Sequence, residues 1–350
     1  MVMRTLLAAL LILLFTTSAG AQEVVVNPDH PDHYVVVKGD TLWDIAGKFL
    51  RDPWRWPQVW EHNPEIKNPH LIYPGDTIYL SYRDGKPVFS MQRANNQGDQ
   101  VVKLSPQIYT EANYSKSIHV IPMDLIKPFL SKSYVVSDQE LGYSGYILAN
   151  DGERLIAGEG NLIYARNLSL ADSNEYMIYR SGQAYYSPDD PERVLGYQAT
   201  YVGVAKLLVT ADPSTLQVVE SNREVLTGDH LLPIIPQAEL SEFSPRAPDE
   251  LMEGYIVGLL DGIERIGQYQ VVVLSLGEID GVVPGHTLSI WRQGKTLVDQ
   301  RSLDKDEVVL PDSLAGVAMV FRVFENTSYA LIMNAYQEMY INDKVMNDVF

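Results

Sequence analysis

The stretch YVVVKGDTLWDIAGKFL, Tyr34–Leu50, changes character in its middle. Tyr34-Val35-Val36-Val37 is aromatic and β-branched, the composition of a strand. Gly39 permits a sharp bend. Asp40 or Thr41 is suited to cap a helix, with Asp44 in its first turn. Leu42, Ile45, Ala46 and Phe49 then recur at helical spacing, and Arg51-Asp52-Pro53 ends that run. Pro57 opens a second helix through Val59, Trp60 and His62, and Asn63-Pro64 closes it. Tyr73-Pro74-Gly75-Asp76 reads as a turn leading into a second strand, Thr77–Leu80. The predicted order is strand, helix, helix, strand within about fifty residues.

Tyr34, Val36, Gly39-Asp40-Thr41-Leu42, Ile45-Ala46, Asn63-Pro64, Ile72, Pro74-Gly75-Asp76, Ile78 and Leu80 together resemble the LysM module. The resemblance implies a small βααβ fold over residues 34–82. It also implies binding of glycans built on N-acetylglucosamine, chiefly peptidoglycan and chitin. Carried over, one wall of the sugar groove is Gly39, Asp40, Thr41 and Leu42, and the other is Asn63, Pro64, Leu71, Ile72 and Tyr73. The chemistry agrees: a neutral, amide-bearing sugar needs backbone donors and acceptors and an apolar face for its acetyl methyl. From Tyr34 to Tyr82 there are five Lys and Arg against six Asp and Glu, so this module is close to neutral. For single residues the structural reading stands beside the functional one: Thr41 suits a helix start, and Leu42 and Ile45 suit a core.

Four of the five tryptophans, Trp43, Trp54, Trp56 and Trp60, fall in this stretch. Aromatic faces stack on sugars, but a small module also needs bulky core residues, and core or lid packing is the favoured reading. The insert DPWRWPQVW followed by NPEIKNPHLIYPGD resembles a narrower group, the LysM proteins associated with the type IV pilus secretin of Gram-negative bacteria.

The chain has 350 residues, 46% hydrophobic and 21% charged, a globular composition with room for two or three domains. Residues 1–21 read as a cleavable secretory signal: Arg4, an apolar run from Leu6 to Phe15, and the small residues Ala19-Gly20-Ala21. That run is short for a membrane anchor. There is no cysteine, which excludes thiol nucleophiles, thiolate metal sites and a cysteine-linked lipid anchor. The net charge of −18 argues against nucleic acid or an anionic membrane as the direct target, and suits a soluble protein or a basic protein partner.

Residues 83–132 carry weaker signals and read as a linker or extended region, with a polar run at Gln92–Gln100. Beyond it the sequence repeats in order. Ser144–Ile147 matches Glu253–Ile256, Ile178–Gln183 matches Ile290–Lys295, Val202–Ala205 matches Ala315–Ala318, and Thr227–Leu232 matches Ile341–Met346. The offsets are 109, 112, 113 and 114 residues. Two related β-rich domains follow, over 133–240 and 250–350, barrel-like or sandwich-like and joined by SEFSPRAPDE. The fold class is α+β. The second repeat, with Gly281-Val-Val-Pro-Gly285-His-Thr-Leu288, resembles the C-terminal domain of the flagellar outer-membrane-associated T protein.

No catalytic constellation is legible. HExxH and Gly-x-Ser-x-Gly are absent. Of seven histidines only His30-Pro-Asp-His33 looks like a pair, and it falls in an arm that reads as solvated. Glu153 and Glu264, at related places in the repeats, read as hairpin-turn residues. The expectation is a non-enzymatic periplasmic protein without metal or cofactor, binding peptidoglycan and tethering an outer-membrane secretin to the wall. The alternatives are a wall-binding scaffold for another envelope machine, or a cell-wall hydrolase using carboxylates.

Overall fold

The structure is a computed structural model that describes residues 24–60, 72–92, 121, 123–131, 133–169, 174–234, 244–260, 265–298 and 306–347. Residues 1–21, read from sequence as a signal, His62, most of the 83–132 region and Glu264 lie outside these. The chain divides into two compact units, Met1–Ser117 and Ile118–Phe350.

The first unit is built on β1 (His33–Val35), α1 (Leu42–Phe49), α2 (Trp56–Trp60), β2 (Thr77–Arg83) and β3 (Lys86–Gln92). The predicted βααβ order is present, with an addition. Residues 86–92, assigned from sequence to the linker, form a third strand paired with β2 in register Thr77↔Gln92 to Arg83↔Lys86. The hairpin turns on Asp84-Gly85, both at positive φ, as a two-residue turn requires. The tryptophans supply the packing reason for this strand. Trp43, Trp56 and Trp60 are buried, and Phe89 of β3 meets Phe49 and Trp60 edge-on at 5.3 and 5.9 Å. A two-stranded sheet would leave part of that aromatic surface wet. The arm before β1 is also more than solvated chain: the Asn27 amide donates to the Gly47 and Leu50 carbonyls at the end of α1 (3.0 and 3.1 Å), and His30 lies against Phe49.

The second unit opens with α3 (Met123–Ser131), β4 (Ser133–Val136) and α4 (Asp138–Tyr143). The segment IPMDLIKPF, inside the region assigned from sequence to linker or extended chain, is therefore largely helix in spite of Pro128; Ile126 is fully buried. Two barrels follow. The first comprises β5 (Gly145–Asn150), the short β6 (Ile156–Ala157), β7 (Leu162–Arg166), β8 (Glu175–Tyr186), β9 (Val194–Val209), β10 (Ser214–Ser221), the short β11 (Val225–Leu226) and β12 (His230–Pro233). Its ring runs β5-β7-β10-β9-β8-β12, β4 extends it beyond β9, and β6 pairs with β11. The second comprises β13 (Glu253–Leu259), β14 (Val271–Leu274), β15 (Thr287–Arg292), β16 (Thr296–Val298), β17 (Glu307–Val309), β18 (Ser313–Val323), β19 (Ser328–Ala335) and β20 (Lys344–Met346). Its closed ring is β13-β14-β19-β18-β15-β20, and β16 pairs with β17.

The two rings have the same strand order, element for element. Gly145 pairs with Leu231 as Gly254 pairs with Val345. Both first strands carry a register shift at the same place, Ile147/Ala149 and Ile256/Gly258. Gly203 and Gly316 occupy matching sites where a Cβ would collide with the carbonyls of Glu220 and Asn334. Each ring has its own apolar core, around Ile163, Ile178 and Val218 in the first and Val272, Ile290 and Ile332 in the second. Glu153 falls in a 3-10 turn after β5. Among the described residues no helix is long and apolar enough to cross a membrane.

One turn recurs throughout. Its third residue has positive φ, and the side chain of its fourth accepts the backbone N–H of its first. It occurs at Tyr73–Asp76, Gly158–Asn161, Leu226–Asp229, Gly267–Gln270 and Tyr340–Asp343, with closing bonds of 2.6 to 3.0 Å, and at Val283–His286 with a 3.4 Å bond to His286 Nδ1. In each, the third residue's N–H and the fourth residue's C=O bracket one residue of a neighbouring strand. The bracketed residues are Val36, Val218, Ile147, Ile332, Ile256 and Val320 respectively. All six are buried, none more than 1% exposed.

The barrels also touch. β8 and β9 continue past the first barrel as an arm whose Tyr185 ring lies on Gly258 of β13, where any Cβ would clash. Asp189 at the arm's tip faces the Tyr255 hydroxyl and raises its pKa. Elsewhere in this unit, Arg322 of β18 donates to the carbonyls of Phe129, Leu130 and Ser133 (3.0, 2.9 and 2.6 Å) and lies over the Tyr134 ring. Its charge is thus answered by the carbonyl end of α3. Arg322→Met, which keeps the stem, leaves those carbonyls unpaired and is expected to lower unfolding stability by about 3 kcal/mol, read from the urea midpoint.

Burial holds the pKa of His230 and of His286 below the ordinary histidine value, and Arg246 adds to the effect at His286. Asp229 opposes it at His230, and Asp249 at His286. Both rings are neutral in the fold, and a protonated His286 Nδ1 could no longer accept from Val283. The unfolded chain takes up these protons near the ordinary value of about 6.5, so the stability present above that pH is lost on acidification. The melting temperature should fall from pH 7.5 to 5.5. In His286→Asn, which keeps an acceptor as Asn161 does, the fall should be shallower; an equal fall in both proteins would contradict the assignment.

Candidate functional site

The bend quoted at the outset begins with the same kind of turn. The Val37 N–H donates to the Asp40 carboxylate (2.9 Å), the Asp40 N–H donates to the Val37 carbonyl (3.2 Å), and Gly39 has φ +101°. It differs from the six others in what it holds. Among the described residues, the Gly39 N–H and the Asp40 C=O bracket no strand residue. The turn presents the donor–acceptor pair that elsewhere grips the N–H and C=O of one strand residue.

The remaining predicted residues divide into two kinds. Thr41 is buried and is the N-cap of α1: its Oγ1 accepts from the Asp44 N–H (3.1 Å), and the Asp44 carboxylate accepts from the Thr41 N–H (3.2 Å). Leu42 and Ile72 are also buried, at 2% and 0% exposure, so their side chains belong to the core. Gly39 is exposed, and Asp40 and Tyr73 are half-buried. Asn63, Pro64 and Leu71 lie outside the described residues. Val36 is bracketed by Gly75 and Asp76, which sets the turn carrying Tyr73 directly beside the strand that runs into Val37–Leu42. The structure thus brings the two described walls together around β1.

Val37 was not singled out from sequence. It is 52% exposed, next to a buried Val36, and adds apolar surface beside the open turn. The in–out alternation of Val36 and Val37 was its signal. Burial and a hydrogen bond to Asp40 raise the Tyr34 phenol pKa, so Tyr34 is neutral here. Trp54, half-buried 6.2 Å from the Trp43 ring, is the one tryptophan of the four that is not fully covered. Trp43, Trp56 and Trp60 are core residues.

Residues 34–81 match the LysM domain family. This segment is a LysM domain. The YqbP protein of Bacillus subtilis, itself uncharacterised, is 41% identical over 60 residues, an alignment covering 14% of this chain and 27% of that protein. The chain therefore spans about a quarter of that relative's length. A LysM domain is a carbohydrate-binding module, with peptidoglycan among its ligands, and binding rather than catalysis is what it contributes here.

The cap at Thr41 fixes the direction in which the open turn leaves the LysM domain. Thr41→Ala removes the oxygen that accepts the Asp44 N–H, while the backbone half of the capping box remains, and is expected to cost about 1 kcal/mol. Thermal unfolding followed by tryptophan fluorescence checks this, since four of the five tryptophans lie in this stretch.

Proposed function

We infer that this protein is a non-enzymatic, peptidoglycan-binding component of the cell envelope that holds a protein partner at the wall. The observation that carries the reading is the open turn of the LysM domain. An N-acetyl sugar offers an amide N–H, an amide C=O and hydroxyls as hydrogen-bonding groups. The Gly39 N–H and the Asp40 C=O present one donor and one acceptor to them, and Val37 and Tyr73 supply apolar surface for the acetyl methyl. Buried Thr41, Leu42 and Ile72 contribute shape and backbone groups. Asn63, Pro64 and Leu71 complete the second wall in this reading.

The wider role follows from the sequence resemblances. Residues 1–21 direct export to the periplasm, the LysM domain holds the wall, and the two barrels hold an outer-membrane secretin of the type IV pilus class. Weak glycan contacts repeated around a multi-subunit partner add up through effective concentration. The domain division supporting this reading is 34–82 for the wall module and 133–240 and 250–350 for the partner-binding barrels.

Sedimentation with purified peptidoglycan sacculi tests the glycan claim. Thr41→Arg would break a helix cap, so Tyr73→Ala is the cleaner variant. The chain should pellet with sacculi and leave them undigested, and Tyr73→Ala should bind about tenfold more weakly with an unchanged circular dichroism spectrum. A folded chain that stays in solution refutes glycan binding. Release of soluble fragments from the sacculi would show a hydrolase instead.

A further inference from the structure

The matched barrels differ in the placing of their arms: among the described residues, only the first arm has a seat. Residues 178–186 correspond to 290–298 at a constant offset of 112, so Ala184, Tyr185 and Tyr186 become Thr296, Leu297 and Val298. The pairings agree: Ala184↔Tyr197, Tyr185↔Gly196 and Tyr186↔Val194 in the first arm, Thr296↔Val309, Leu297↔Val308 and Val298↔Glu307 in the second. The β16–β17 ribbon is therefore the second barrel's arm. In the first arm Tyr185 is buried on Gly258, and β4 covers the outer edge by pairing Val136 with Tyr197. In the second arm Leu297, Val298, Val308, Val309 and Leu310 are 43–66% exposed. A two-stranded ribbon with apolar groups on both faces is marginal in water without a cover.

The seat is duplicated as well. Tyr255 and Gly258 on β13 receive the first arm, with Val257 between them on the strand, and the counterparts of these three on β5 are Tyr146, Leu148 and Ala149. Tyr255 and Val257 are half-buried, while Tyr146 and Leu148 are 36% and 42% exposed. A hollow of about 540 Å³ lined by Tyr146, Arg166, Leu168 and Asp212 adjoins them. The contact residues have changed size together. Where the first joint sets a tyrosine ring on a glycine, the second pair sets a leucine opposite an alanine, so that the shorter side chain leaves room for the methyl group.

We propose that the chain associates head to tail with a second copy of itself, the β16–β17 arm of one copy seating on the β5 face of the next. The contact repeats between chains the joint that already links the barrels within one chain. It joins unlike surfaces, so it propagates into a ring or an open chain of copies rather than stopping at a symmetric dimer. Apolar burial drives it, and the net charge of −18 on each copy opposes it until salt screens the repulsion.

Sedimentation velocity of the full mature chain over a concentration series, at about 0.15 M salt and above, should show dimers and larger species. Both Leu297→Asp and Leu148→Asp change exposed positions, and each alone should remain monomeric. Mixed together, they retain one intact arm and one intact face between them, and should form dimers and nothing larger. Because the chain has no cysteine, Leu297→Cys/Ala149→Cys under a mild oxidant should give a ladder of disulfide-linked multimers. A chain that stays monomeric and gives no ladder overturns the proposal. So does undiminished association of either single variant, which would place the contact elsewhere.

Discussion

Both units depend on a small electrostatic closure, a side-chain acceptor on the fourth residue of a turn taking the N–H of the first. The closure holds the third residue at positive φ, and that conformation aims one N–H and one C=O outward as a pair. In six places the pair brackets a buried aliphatic residue of a neighbouring strand. Each bracket satisfies two backbone groups that would otherwise be buried unpaired, and fixes the register of the strand it holds. Asp, Asn, Gln and His all serve as the acceptor, because the demand is for a lone pair at the right distance, not for charge.

The same device explains how a structural element becomes a binding element. In the glycan-binding reading proposed above, nothing new has to be built at Gly39 and Asp40; a bracket that holds no described strand residue is turned to a ligand instead. The cap at Thr41 and the buried side chains of Leu42 and Ile72 hold the turn rigidly, so a ligand meets groups already oriented.

The LysM fold was legible because its signals are local: a β-branched run, glycine at a bend, a cap, helical spacing. The internal repeat was legible in four short matches, and ring order follows from it, but closure into barrels depends on strand pairings far apart in sequence. β3 was missed although Asp84-Gly85 is a strong hairpin signal, because Lys86–Gln92 carries few β-branched residues. Its need comes from aromatic area elsewhere in the domain. α3 was missed because residues 83–132 carry weak local signals, while burial of Ile126 gives the helix its packing reason. The reading of Leu42, Ile72 and Tyr73 as one kind of site residue could not be refined from sequence, since burial depends on what packs above each. That the Gly39 and Asp40 pair brackets no described strand residue depends on neighbours far apart in sequence, which no local pattern encodes.

Gly258 gives the inter-barrel joint a polarity. A methyl group there would strike the Tyr185 ring, and Ala149 carries that methyl at the corresponding place in the first barrel. The first arm therefore fits the second barrel and is refused by the first. Two barrels of the same strand order are thereby told apart by a single carbon atom.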